Sequence, residues 1–94
     1  MTKTRVYTVV LEYGGGTYIA QVSGHSPAAA LPVWISHLRD EDLAKWRITR
    51  GELTTVTKSD NPVAIGGCVG VWCISGSVKN GLVLINMIAT DISS

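Results

Sequence analysis

Two histidines and two cysteines are the side chains of this 94-residue chain that could most readily take part in catalysis or metal binding. His25 and His37 could each serve as a general base. Ser23 and Cys73 are the nucleophiles that could work with them. General-base catalysis requires the base to lie within hydrogen-bonding distance of the proton that it removes. No motif in the sequence fixes such a distance, so we assign no catalytic residue and predict that the protein is not an enzyme.

Three other patterns bear on ligand and metal binding. The run Asp40-Glu41-Asp42 could hold a divalent cation, but consecutive carboxylates on a helix point in different directions and do not form a calcium loop. The run Gly14-Gly15-Gly16 lacks the lysine of a phosphate-binding loop and leads into a predicted strand, so it indicates a hairpin turn. Cys68 and Cys73 fall on opposite faces of a predicted strand, so we expect two buried free thiols. We therefore predict no metal and no cofactor.

The net charge of the chain bears on whether it binds nucleic acid. The formal net charge is +1 and the isoelectric point is about 7.8, so no strong basic field attracts nucleic acid. Five residues could still form a base-stacking surface on a sheet: Tyr7, Tyr13, Tyr18, Arg5 and Lys3. Because two of these tyrosines fall on the predicted core face, we expect no binding of nucleic acid.

Length and hydropathy bear on location. No apolar run reaches the roughly 20 residues that a membrane-spanning helix needs, and the first residues lack the apolar segment of a secretory signal. We therefore expect a cytoplasmic protein that makes no membrane contact, folded as one domain over residues 1–94.

A hairpin is predicted at the start of the chain, where Arg5–Tyr13 and Thr17–Ser23 are β-rich runs on either side of the glycine turn. Only a turn of two or four residues places six apolar or aromatic side chains on one face: Tyr7, Val9, Leu11, Tyr18, Ala20 and Val22. That face is the predicted core face of the sheet.

Ser26-Pro27 predicts the start of a helix, because serine caps helix N-termini and proline suits the first helical position. An apolar stripe with helical spacing follows: Leu31, Trp34, Ile35 and Leu38. Pro32 should kink this helix or mark the start of its regular part. Asp40–Trp46 is predicted to be a second helix. Ile48–Lys58 is rich in β-branched residues and is predicted to be an edge strand.

The segment 62–90 carries one charged residue, Lys79. Two β-rich runs, Gly67–Ser75 and Leu82–Thr90, flank Asn80-Gly81, a dipeptide that strongly predicts a hairpin. That turn makes one face of the ribbon apolar: Trp72 faces Ala89, Ile74 faces Met87, Gly76 faces Ile85 and Val78 faces Val83.

The second face of this ribbon is also rich in apolar residues: Val71, Cys73, Leu82, Leu84 and Ile88. Strands that expose one face to water should alternate more cleanly. Charged residues make up 16% of the chain, against roughly 25% in an average soluble protein. We therefore predict a homodimer that forms through sheet faces or edges.

Together these elements predict an α+β fold. Its antiparallel sheet should have four or five strands in the chain order β-β-α-β-β-β, with one main helix packed on one face.

More than half of the charged residues lie between Arg39 and Glu52. Aromatic residues and arginines are enriched among the residues that dominate binding energy. We therefore predict a partner-binding site at Trp46, Arg47 and Arg50. The alternative is that Trp46 closes the lower edge of the core.

The first third of the chain resembles the N-terminal half of HicB-type antitoxin domains. The resemblance is carried by the strand Tyr7–Tyr13, the glycine turn with the strand that ends at Ala20-Gln21-Val22, and the helix start Ser26–Leu31. HicB-type domains pair with small RNA-cleaving HicA toxins, and many form oligomers through their sheets. The family's strand between hairpin and helix has no counterpart in Ser23-Gly24-His25. The resemblance implies an antitoxin that binds an RNase-type toxin.

These observations favour a small non-catalytic domain that binds another protein or itself. Two alternatives stay open. One is the HicB-like antitoxin. The other is a small ligand-binding domain or enzyme with a pocket between helix and sheet near His25, Tyr18 and Trp46.

Overall fold

The computed structural model describes residues 4–59 and 61–90. Its elements in chain order are β1 (Arg5–Tyr13), β2 (Gly16–Gly24), α1 (Pro27–His37), α2 (Asp40–Trp46), α3 (Arg50–Ser59), β3 (Val63–Ala64), β4 (Val71–Val78) and β5 (Gly81–Ala89). The strands form one antiparallel sheet in the order β2-β1-β5-β4-β3. The helices pack on one face of this sheet, which confirms the predicted α+β class.

The first hairpin has the predicted face pattern. Gly14 and Gly15 form its two-residue turn, and both have the positive φ that the turn requires, 58° and 83°. Tyr7 pairs with Val22, and the alternation that follows buries one side of β1 completely. The core face predicted from the even turn length is confirmed.

The second hairpin forms with a register that differs from the prediction by two residues. Trp72 pairs with Met87, and Ile74 pairs with Ile85. The turn therefore consists of Lys79-Asn80, while Gly81, with φ 143°, begins β5. A slip of two residues changes each partner but leaves every side chain on its predicted face. Ile74, Ile85 and Met87 are buried as expected.

Contacts from outside the hairpin explain this turn. The N–H of Lys79 donates to the carboxylate of Glu52 at 3.0 Å, and the side-chain amide of Asn80 donates to the carbonyl of Arg47 at 3.0 Å. Neither Lys79 nor Asn80 has a positive φ, so the turn is not the type that Asn-Gly favours.

Both predictions of buried cysteines need correction. β4 begins at Val71, later than the predicted Gly67, and the residues before it form an exposed turn. Cys68 lies in that turn and is exposed, whereas Cys73 is half-buried in β4. Both thiols are free.

Helix α1 begins where the sequence predicts, with the hydroxyl of Ser26 accepting the N–H of Ala29 at 3.1 Å. The helix runs through Pro32 to His37, so its regular part does not begin at Pro32. The apolar stripe is confirmed: Leu31, Trp34 and Ile35 are buried, and Leu38 packs against the core.

The predicted edge strand at Ile48–Lys58 is wrong, because these residues form helix α3. Thr49 and Glu52 make a reciprocal capping box: the N–H of Glu52 donates to the Thr49 hydroxyl, and the N–H of Thr49 donates to the Glu52 carboxylate, both at 3.0 Å. This cap satisfies two free N–H groups at the start of the helix. Leu53 and Val56, three positions apart, are both buried.

Glycine in β4 lets α3 approach the sheet closely. A Cβ at Gly76 would lie 3.0 Å from Cγ1 of Val56. Burial of Val56 at this contact, together with the capping box, outweighs the weak strand preference of the threonine-rich segment.

Trp34→Ala is expected to lower the free energy of unfolding by about 3–5 kcal/mol, because it leaves a cavity in the core. The neighbouring Val33 is exposed, so Val33→Ala should change the stability by no more than about 0.5 kcal/mol. Urea denaturation of both variants measures the difference. A Trp34→Ala protein that unfolds like the wild type would contradict the assignment of the core.

Glu52 should give the protein a specific pH dependence. Hydrogen bonds from the N–H groups of Thr49 and Lys79 hold the pKa of Glu52 below its ordinary value of 4.5. Its stabilising contribution is therefore complete above pH 4.5 and is lost as the pH falls through the lowered folded-state pKa. The stability difference between wild type and Glu52→Gln should shrink between about pH 7 and about pH 3. A difference that stays constant over this range would contradict the assignment.

Candidate functional site

Two of the candidate catalytic side chains, His37 and Cys73, lie on opposite sides of the sheet. His37 is the exposed last residue of α1, on the helical side of the sheet. Cys73 alternates with the buried Ile74 and so points to the opposite side. In residues 4–59 and 61–90 no group of three or more His, Cys, Asp or Glu side chains could hold a metal ion.

The carboxylates at the start of α2 are paired with arginines. Asp42 accepts the Nε of Arg39 at 3.2 Å, and Glu41 accepts its Nη1 at 3.2 Å. Asp40 accepts Nη2 of Arg50 at 2.7 Å. The three acidic side chains are therefore paired with two arginines, Arg39 and Arg50, and their negative charge stabilises the N-terminus of α2.

Trp46 and Tyr18 form a stacked pair, with ring centroids 4.2 Å apart and an interplanar angle of 27°. Trp46 is half-buried and packs against the edge of the core. Beside the pair is an open hollow of about 500 Å³ between β2, the end of α1, and α2. His37 lines this hollow and His25 does not, so the predicted pocket contains Tyr18 and Trp46 without His25.

The three predicted partner-binding residues divide between two places. Arg47 adjoins Trp46 and lines a second hollow of about 470 Å³ together with Lys45. Its backbone is left-handed, with φ 60°, and ends α2. Arg50 instead lines a groove between α1 and α3.

The guanidinium of Arg50 is engaged with the end of α1. It donates to the carbonyl of Ile35 and, at 2.9 Å, to the carbonyl of Leu38. These carbonyls belong to the last turn of the helix, where cations are stabilising. Arg50 thus holds α1, α2 and α3 together.

The tyrosines are occupied by contacts within the domain. Tyr7 is buried and meets Trp72 edge to face, with centroids 5.8 Å apart. The hydroxyl of buried Tyr13 donates to the carbonyl of Arg47. Tyr18 stacks on Trp46, so each of the three rings contacts another group of the domain. Lys3, the lysine considered with them, lies outside the described residues.

Within residues 4–59 and 61–90, no helix covers the outer face, which is the side of the sheet turned away from the helices. Its apolar members are Val6, Val10, Ile19, Val71, Cys73, Leu82, Leu84 and Ile88. Its polar members are Thr8, Glu12, Thr17, Gln21, Ser23, Ser75, Ser77 and Asn86. Ile19 and Leu82 are 68% and 66% exposed. Among these residues only Glu12 is charged.

The pairing register of the strands shows which side chains are neighbours on the outer face. Val10 pairs with Ile19 on one side and with Asn86 on the other, and Asn86 pairs with Cys73. Ile88 pairs with Val71 in the neighbouring row. The apolar residues therefore form three groups around Asn86: Val10 with Ile19, Leu82 with Leu84, and Ile88 with Val71 and Cys73. We call these three groups together the apolar area.

Trp46→Ala is expected to lower the free energy of unfolding by about 1–2 kcal/mol, because it removes a half-buried aromatic stack. Trp46→Phe keeps a ring on Tyr18 and should recover most of this loss. Thermal unfolding of the two variants tests the expectation. A loss as large as that of Trp34→Ala would show that Trp46 is a core residue and cannot act as an accessible anchor.

The chain matches no protein-family model, no curated protein and no solved structure. Across the described residues, no helix is both long and apolar enough to span a membrane.

Proposed function

We propose that the protein is a small non-catalytic interaction domain that associates with a second copy of itself through the outer face. The observation that carries this proposal is the apolar area of that face, which no helix covers in the described part of the chain. Water contact with such an area is unfavourable by about 25 cal/mol per Å². Association removes that cost.

The size of the outer face supports the proposal. Strands lie about 4.8 Å apart and rise about 3.3 Å per residue, so the four long strands span roughly 19 Å by 27 Å. The projected area is on the order of 500 Å², the same order as the roughly 800 Å² of accessible surface that each partner buries in a standard interface.

The charge of the face favours a second copy as partner. When two copies meet, Glu12 is the only charged side chain among the outer-face residues named above. No array of like charges therefore opposes the contact. A strongly charged partner would find no complementary charge on this face.

The edge of β2 offers a second route to self-association. This strand has nine residues, none of them charged, and among the described strands it pairs only with β1. The opposite edge, β3, has two residues and is protected by its shortness. We favour the face because most of its apolar side chains are only half-buried and two of them, Ile19 and Leu82, are exposed.

Two other functions remain proposals with their own support. The chain has the strand, glycine turn, second strand and Ser26-capped helix on which the HicB resemblance rests, without the family's further strand before the helix. Co-purification with a co-encoded RNase-type protein would favour an antitoxin. The hollow beside Tyr18 and Trp46 suits a small ligand, and a change in tryptophan fluorescence on ligand addition would favour that function. Trp46 and Arg47, which adjoin each other, remain our proposed contacts for a further protein partner.

We also propose a cytoplasmic location. Cys68 is exposed and both thiols are free, which suits a reducing compartment.

Light scattering should give about twice the chain mass of 10.0 kDa. Val10→Lys places a charge in the middle of the apolar area and should give the monomer mass. Val69→Lys makes the same change at a fully exposed valine outside the sheet and should leave the dimer intact. A wild-type protein that stays monomeric at high concentration would overturn the proposal.

A further inference from the structure

One polar side chain lies in the middle of the apolar area. Asn86 pairs with Val10 of β1 on one side and with Cys73 of β4 on the other. Along β5, the next residues on the same face are Leu84 and Ile88. Asn86 is therefore bordered on all four sides by apolar side chains.

The amide of Asn86 has unused hydrogen-bonding capacity. Asn86 is half-buried, and its side chain makes no hydrogen bond to any residue within 4–59 and 61–90. By contrast, the nearby Gln21, Thr8 and Thr90 hydrogen-bond to one another through their side chains. Any protein that covers the apolar area must supply a partner for the Asn86 amide, because an unpaired buried amide opposes association.

A second copy of the chain can supply that partner in a reciprocal way. A primary amide has both a donor, Nδ2, and an acceptor, Oδ1. In a twofold dimer, a residue on the axis meets its own counterpart. The amide is therefore complementary to itself, and charged side chains in the same position would not be.

We propose that Asn86 lies on the twofold axis of a face-to-face dimer, an inference that rests on the self-association proposed above. Nδ2 of each copy donates to Oδ1 of the other. Stacked sheets lie about 10 Å apart, and two asparagine side chains extended towards each other with a hydrogen bond of about 2.9 Å between them fit that spacing. The pair fixes the register of the two sheets, as a single asparagine in an apolar seam fixes the register of coiled coils.

The first test is Asn86→Asp, which places two carboxylates at the axis. At about pH 7.5 the dimer dissociation constant from sedimentation should rise at least about 100-fold over the wild type. Below about pH 4 the introduced carboxyls are protonated and can pair again, so the dimer should recover. Glu12 and the thiol of Cys73 are the other titratable groups of the outer face, and the wild type measured at each pH corrects for them.

Ser77→Asp is the matched control, because Ser77 lies on the same face at the end of β4. It should change the dissociation constant less than about threefold. Equal weakening by Ser77→Asp and Asn86→Asp would overturn the central position of Asn86.

The second test does not depend on a charge or on the stability of the Asp variant. Asn86→Leu should still form homodimers, since leucine meets leucine at the axis. A mixed dimer would bury the amide of one copy against leucine. When ¹⁵N-labelled wild type is mixed with unlabelled Asn86→Leu, native mass spectrometry should find mixed dimers well below the half expected for random pairing.

The outcomes separate the two proposals. A monomeric wild type would overturn self-association and the Asn86 pair together. A dimeric wild type whose dissociation constant is unchanged by Asn86→Asp, or which mixes at random with Asn86→Leu, would overturn the Asn86 pair and leave self-association standing.

Discussion

The alternation of side chains along β1 determines the rest of the structure. β1 pairs with a strand on each side, so its odd-numbered residues form the centre of the core and its even-numbered residues form the centre of the outer face. The three helices come between β2 and β3 in the chain and pack on one side only. In the described residues the helices therefore cover one face of the sheet, and no helix covers the second face.

The charged middle of the chain serves first to hold the helices in place. Arg50 binds the carbonyls at the end of α1 and the carboxylate of Asp40. Glu52 caps α3 and also accepts the backbone N–H of Lys79 in the turn between β4 and β5. These contacts connect all three helices to the sheet. They also explain why Arg50 does not lie beside Trp46, although the two are four positions apart in the sequence.

The sequence predicts the first hairpin and α1 correctly, because in both the spacing of the apolar residues and the turn or cap residues indicate the same element. The two-residue turn at Gly14-Gly15 sets the face of β1, and Ser26 with the Leu31–Leu38 stripe sets α1. The apolar character of the outer face also follows from the residues of β4 and β5 alone, since a register shift of two residues does not move a side chain between faces.

The errors arise where a local preference is overridden. The threonines of α3 favour a strand. Thr49 and Glu52, however, form a capping box, and their separation by three positions in the sequence predicts a helix. The Asn80-Gly81 turn moved by one residue because Glu52 and Arg47, distant in the sequence, bind the backbone of Lys79 and the side chain of Asn80. The position of Cys68 depends on where β4 begins, which the run of glycines leaves open.

The reactivity of the two native thiols tests most directly whether a second copy covers the outer face. Cys73 lies in the apolar area beside Asn86, whereas Cys68 lies in an exposed turn outside the sheet. We predict that modification of Cys73 by a small thiol reagent becomes slower as the protein concentration rises and the dimer forms, while modification of Cys68 stays constant. Rates for Cys73 that do not depend on protein concentration would contradict the account.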